Sequence, residues 1–280
     1  MPSSNARVVL LTGAAGGIGR VMTEALLADG HAVAAVDRDA EGLDRLRAIA
    51  AGRRAADRVH AIHADLAAEA GCRHAVESAR ERFGTVEAVI NNAGIGMSSI
   101  RPDAEARHPG IEELTTETWD RFFAVNVRAP MLVTRAALPL MQQRRWGRVI
   151  NNTTSYLTML RVLPYGATKA ALESMAAVWA KELEGTGITV NVLIPGGPTD
   201  TPFIAKESGW PRDRMLRPEI MGPPACWLVS NASAGTTGQR IIAARWDATL
   251  PGEEAVRRAG RAVGWPELGA DAVWLQSKPA

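Results

Sequence analysis

The chain has 280 residues, 46% hydrophobic and 22% charged, with 32 basic side chains against 30 acidic. Such a chain buries a sizeable core unaided, which excludes a disordered polymer, a collagen-like repeat and a small disulfide scaffold. Near-neutral charge gives no bulk attraction for nucleic acid or an anionic membrane, and no apolar run approaches the ~20 residues of a membrane span. Cys72 and Cys226 lie far apart and outside any CxxC pattern, and the first apolar run contains Gly13 and Gly16, unlike a signal peptide. A cytoplasmic protein is the expectation.

Val8–Leu11 is a short apolar run bounded by glycines and reads as a strand. Gly19–Ala28 spaces Val21, Ala25, Leu26 and Ala28 as a helix does. Ala32–Val36 is a second strand stopping at Asp37; Leu43, Leu46 and Ile49 mark a helix, and Val59–Ile62 a third strand. Ala75–Phe83 is predicted helical and Val86–Ile90 a fourth strand. Thr118–Arg144 reads as one long helix bent at Pro130 or Pro139, where proline removes a backbone donor. Val149 and Ile150 open a fifth strand, Tyr165–Leu183 is a strong helix, and Ile188–Ile194 is a sixth strand. Beyond Pro195 the pattern fades into a proline-punctuated, mobile-looking stretch.

This alternation predicts an α/β fold: a doubly wound, Rossmann-type parallel sheet with helices on both faces. A single domain is expected over 1–280, with substrate loops around 95–113 and 198–225 and a C-terminal extension of about 245–280.

Between the first strand and first helix lies Thr12-Gly13-Ala14-Ala15-Gly16-Gly17-Ile18-Gly19. Glycines there let the backbone turn tightly and approach a pyrophosphate, which the helix N-terminus favours. Gly13, Gly17, Ile18 and Gly19 are therefore candidate cofactor contacts, in a TGxxxGxG variant of the dinucleotide fingerprint. Asp37 is placed to bond a ribose 2′-hydroxyl and to repel a 2′-phosphate, so NAD is favoured over NADP, although the neighbouring Arg38 softens the rejection. Asp65 and Leu66 follow the third strand at the adenine end, and Asn92, Ala93 and Gly94 follow the fourth. Tyr165 and Lys169, four apart on a helix, share one face, and an ammonium beside a phenol moves its pKa toward neutrality. Taken singly, these features also read as a turn, a helix-capping aspartate and a surface Tyr–Lys pair; their order favours one site.

The combination resembles the short-chain dehydrogenase/reductase family, in its common branch, from about Val8 to Gly238. Thr12–Gly19 matches the family's glycine motif, Asn91–Gly94 its NNAG, Asn126 its central-helix asparagine, Tyr165–Lys169 its YxxxK, and Pro195-Gly196 its PG. The resemblance implies a hydride transferred between NAD(H) and a secondary alcohol or ketone, with Tyr165 exchanging the proton. Lys169 would hold the nicotinamide ribose and tune the tyrosine, Asn126 would hold a relay water, and Pro195, Gly196 and Pro198 would lie beside the nicotinamide. A homodimer or homotetramer through the helices of Asn126 and Tyr165 is also implied.

The chain departs from the family pattern in three places. Thirteen residues before Tyr165, where a serine is usual, stands Asn152. Strand alignment puts Thr154 at the serine's place as the hydroxyl that polarises the substrate, with Ser155 as the alternative and Asn152 a third. The segment Ile95–Glu113 is longer than usual, and the tail with Arg245-Trp246-Asp247, Trp265 and Trp274 lacks the usual glycine-rich ending. Met97, Tyr156, Met159, Leu160, Pro198, Phe203 and Trp210 are expected around the substrate, suggesting a small to medium apolar or cyclic molecule. No metal is expected, since His60 and His63 flank a strand without a third ligand. An NADP-linked carbonyl reductase and a catalytically idle NAD-binding redox sensor are the alternatives.

Overall fold

A computed structural model describes residues 6–269. β1 (Val8–Thr12) leads to α1 (Gly17–Ala28), β2 (Ala32–Asp37) to α2 (Ala40–Gly52), and β3 (Val59–His63) to α3 (Glu69–Phe83). β4 (Ala88–Asn91) precedes α4 (Thr116–Phe123) and α5 (Ala129–Arg144). β5 (Gly147–Asn151) precedes the single turn α6 (Tyr156–Met159) and the long α7 (Tyr165–Glu182). β6 (Ile188–Ile194), α8 (Gly222–Val229), β7 (Gln239–Ile242), α9 (Gly252–Ala259) and β8 (Gly260–Ala262) follow. The strands form one sheet in the order β3-β2-β1-β4-β5-β6-β7-β8, parallel except for the last pair.

Alternate side chains of a strand point to opposite faces, and here both faces are apolar. Val9 and Leu11 pack with Met22, Leu26 and Leu46 of α1 and α2 and with Leu228 of α8. Leu10, between them, joins Val76, Val133 and Ala176 of α3, α5 and α7 on the other side. This double burial explains why these strands read as unbroken apolar runs.

β1 pairs with both β2 and β4, through Leu10↔Ala34 and Leu10↔Val89. The chain winds outward from β1 to β3, then crosses back to β4 and winds the other way. The connections leaving β1 and β4 therefore diverge and open a crevice at the carboxyl edge, where ligands of such sheets bind.

One expectation needs correction. The long helix is not simply bent at a proline: a π turn, Ala124–Arg128, joins α4 to α5 and contains the buried Asn126. Pro130 falls in the first turn of α5, and Pro139 sits within α5 without ending it. The stretch after Pro195 holds only 3-10 turns up to Met221, as its faded pattern suggests, yet it is braced: Asp200 takes Arg212 and Arg217, each at 3.0 Å, around a Thr199↔Leu216 bridge. Within the C-terminal stretch, β8 adds an antiparallel edge to β7. Strands of three or four residues carry too few side chains to show a period. Residues 270–280, including Trp274, lie outside the described residues. His60 bonds Ser78 and His63 bonds the Arg38 carbonyl, so each ring is engaged locally. Among the described residues no helix is long and apolar enough to cross a membrane.

Candidate active site

The carboxyl ends of β1, β2, β4, β5 and β6 open on one cavity of about 940 Å³. All the residues expected around a cofactor line it: Gly13, Gly17, Ile18 and Gly19; Asp37 and Arg38; Asp65 and Leu66; Asn92, Ala93 and Gly94; and Tyr165, Lys169, Pro195, Gly196 and Pro198.

The glycine turn fits an anionic dinucleotide on its own geometry. Gly13 has φ +67°, and a Cβ there would lie 2.8 Å from the Ala93 Cα, so the turns after β1 and β4 close together only with glycine. The two turns also brace each other. Thr12 Oγ1 accepts from the Asn92 and Ala93 amides at 3.0 Å, and Asn92 Nδ2 donates to the Thr12 and Gly13 carbonyls at 3.1 Å. At the mouth of α1 no side chain caps the helix and no acidic residue stands in its first turn. Its amides are thus left for an external anion.

Asp37 ends β2 with its carboxylate fixed by two backbone amides, Ala15 at 2.9 Å and Asp39 at 3.1 Å. Capping of α2 falls to Asp39, which accepts from Gly42, so Asp37 is not the helix cap. Asp65 accepts from the Ala67 amide at 2.9 Å and shares the same wall.

The reactive groups meet at the other end. Tyr165 opens α7 and its phenol is held above the usual range, chiefly by burial and then by the Glu105 carboxylate; a hydrogen bond with Thr154 works the other way, favouring the phenolate. Lys169, one turn later, is 4% exposed, and burial brings its ammonium down to about 8. Its Nζ donates to the Asn152 carbonyl at 2.8 Å and lies 5.8 Å from the centre of the Tyr165 ring.

The crowded hydroxyls are separated by the fold. Thr154 faces the phenol, whereas Ser155 caps α6, accepting from the Thr158 amide at 3.1 Å. Asn152 donates to Asn92 Oδ1 at 2.9 Å. Asn126 is fully buried and does not line the cavity. Its Oδ1 accepts from Ile95 N at 2.9 Å, while its Nδ2 donates to Ile95 O at 3.0 Å and Thr168 Oγ1 at 3.1 Å. One side-chain hydrogen thus braces the turn after Gly94 and the other ties the π turn to α7.

Met97, Pro198, Phe203 and Trp210 line the same cavity, and the ring centres of Phe203 and Tyr165 are 5.8 Å apart. Met159 is buried beneath the wall, Leu160 is 85% exposed, and neither lines the cavity. Tyr156 turns away from it altogether: its hydroxyl donates to the Gly264 carbonyl at 2.6 Å and its ring lies 5.9 Å from Trp265. It belongs to a buried network that sequence reasoning missed. Arg240 pairs with Glu173 at 2.6 Å, stacks 4.1 Å over Tyr156, and donates to the Thr154 carbonyl. Thr153 Oγ1 donates to Glu173 at 2.7 Å. Residues 67 positions apart in sequence leave no spacing signal for such a pair.

Breaking a buried ion pair from one side costs about 3–5 kcal/mol because a charge is left uncompensated. Arg240→Met is accordingly expected to lower unfolding stability by that amount in guanidinium titrations, and Arg240→Met with Glu173→Leu to recover part of it. A loss under about 1 kcal/mol in the single variant would show the pair to be expendable.

Three comparisons with known proteins agree with this geometry. The family described as short chain dehydrogenase matches residues 7–211. A 3-oxoacyl-(acyl-carrier-protein) reductase of Thermotoga maritima is 30% identical over 248 residues, covering 84% of this chain and 95% of its own. A D-threitol dehydrogenase of Mycolicibacterium smegmatis is 29% identical over 250 residues, covering 84% and 90%. The crystal structure of a 3-ketoacyl-(acyl-carrier-protein) reductase from Brucella melitensis, complexed with NADH, superposes with a TM-score of 0.70 at 30% identity, covering 82% of this chain and 93% of that one. With a doubly wound sheet, a glycine turn braced on the NNAG turn, and a Tyr–Lys pair at the same cavity, the chain belongs to the short-chain dehydrogenase/reductase family.

Proposed function

We propose that the protein is an NAD-dependent oxidoreductase interconverting a secondary alcohol and its ketone. The observation that carries this is the convergence of Tyr165, Thr154 and Lys169 on the cavity that the glycine turn also lines. A bound nicotinamide dinucleotide supplies the hydride chemistry. The α1 amides would hold its phosphates, Asp37 its adenosine ribose, and Lys169 the second ribose through the two ammonium hydrogens not given to Asn152. Thr154 Oγ1 would donate to the substrate oxygen and stabilise the charge that develops there. Tyr165 would take the hydroxyl proton in oxidation and return it in reduction. The Phe203, Met97 and Trp210 side chains would keep water from the reacting carbon.

The test is to incubate the protein with NAD and a panel of secondary alcohols, following NADH absorbance; absence of any turnover would overturn the reading. Cofactor choice is a separate prediction. The Asp37 carboxylate should make NAD bind at least tenfold more tightly than NADP, about 1.4 kcal/mol, in tryptophan-fluorescence titrations. Equal or reversed affinities would favour the NADP-linked reading, in which Arg38 on the same wall takes the 2′-phosphate. A cytoplasmic, reducing setting belongs to the proposal, supported by Cys72 and Cys226 being free thiols. So does a homodimer or homotetramer, supported by the exposed Trp119 stacked on Phe123 in α4.

A further inference from the structure

The segment between β4 and α4 brings a carboxylate into the cavity. Ala104 is fully buried with Met97 and Val162, a small cluster against which Ile100 and Tyr165 pack. This anchor sets the next residue, Glu105, on the wall of the cavity that Met97, Val162 and Tyr165 also line. Burial holds its carboxyl above the usual range, with the nearby Met97 amide working the other way. Its acidic neighbours are paired: Asp103 with Arg101 and Arg107, and Glu113 with Arg101. Glu105 has no such cation among the described residues, although His108 and Arg161 line the same cavity.

An unpaired, half-dry carboxylate beside a proton-transferring phenol is costly twice over. It loses hydration, and its charge opposes ionisation of Tyr165, which oxidation requires. A ligand group that donates a hydrogen bond to the carboxylate offsets both costs at once. An apolar alcohol offsets neither. We infer that Glu105 recognises the substrate: the alcohol carries a second donor, a hydroxyl or an ammonium, that docks on Glu105 while its carbinol oxygen meets Thr154 and Tyr165. This narrows the proposed secondary alcohol to a diol or amino alcohol, in place of the apolar molecule expected from the sequence. It rests on the proposed redox function.

The test uses matched sets of alcohols with NAD and the full chain: cyclohexanol, cyclohexanediol and aminocyclohexanol, and likewise secondary butanol, its vicinal diol and its amino alcohol. In the wild type, kcat/KM for the better second-donor alcohol of a set should exceed that of the plain alcohol by about tenfold or more. In Glu105→Leu that ratio should collapse to near one. Glu105→Gln, nearly isosteric, separates the two donors: its amide oxygen still accepts from a hydroxyl, so a diol preference survives, whereas an ammonium preference is lost with the charge. A wild-type ratio near one, or a ratio unchanged in Glu105→Leu, overturns the inference while turnover of the plain alcohols leaves the redox function standing. Inertness of both sets and of the wider alcohol panel overturns both.

Discussion

Replacing Tyr165 by phenylalanine is expected to lower turnover by roughly 10²–10⁴ while NAD binding survives. The substitution keeps the ring that packs with Phe203 and with the Met97–Ala104–Val162 cluster, and removes only the oxygen that faces Thr154. Folding is thereby spared and the proton path is cut. Lys169→Ala should instead damage both turnover and binding, because it removes a proposed donor to the cofactor ribose and an ammonium 5.8 Å from the centre of the Tyr165 ring. Steady-state rates with parallel fluorescence titrations separate the two. Retention of half the wild-type rate by Tyr165→Phe would make the assigned chemistry wrong.

The same environment sets the pH dependence. Burial and Glu105 raise the phenol above its ordinary value, so the phenolate needed as base in oxidation is scarce near neutrality and increases with pH. Oxidative kcat/KM should therefore rise from neutral into alkaline solution. Reduction uses the protonated phenol, which is already fully present at neutral pH, and should be flat there and decline only when alkaline. Opposite slopes in the two directions are the expected signature, and equal slopes would point to another titrating group.

Thr154→Val is expected to cost about 10²–10³ in turnover, the usual effect of deleting one donor to a developing oxyanion. Valine matches threonine in shape, so the change removes a hydroxyl and little else. Ser155→Ala is the control. It deletes the cap of α6, which should lower stability by about 1 kcal/mol with a near-normal rate. The outcome that reverses this assignment is a large rate loss in Ser155→Ala with a near-normal Thr154→Val. Normal rates in both would transfer the role to Asn152, whose amide already reaches Asn92 in the same wall.

Much of this architecture is legible in the amino-acid sequence. Strands buried on both faces read as continuous apolar runs, and β1, β2, β3 and β6 appear within a residue or two of their observed limits. The Gly13–Gly19 turn and the Asn91–Gly94 turn are local devices. Each is set by backbone freedom and short-range hydrogen bonding, so residue types alone reveal them. The spacing of Tyr165 and Lys169 is equally local, one helical turn.

What only the tertiary structure decided are the relations between segments distant in the chain. Whether Thr154 or Ser155 faces the phenol depended on α6, a single turn that claims Ser155 as its cap. Whether Asn126 reached the cavity depended on a π turn and on Ile95, which absorbs its side chain. Tyr156 read as a pocket residue until Glu173, Arg240 and Gly264 drew it into a buried network. Glu105 carried no signal at all, since a glutamate between two alanines is an ordinary surface pattern. Only the burial of Ala104 set it on the wall of the cavity that Tyr165 lines. Local periodicity and turn chemistry are written in neighbouring residues, whereas the pairing of charges and the facing of a cavity depend on which distant surfaces meet.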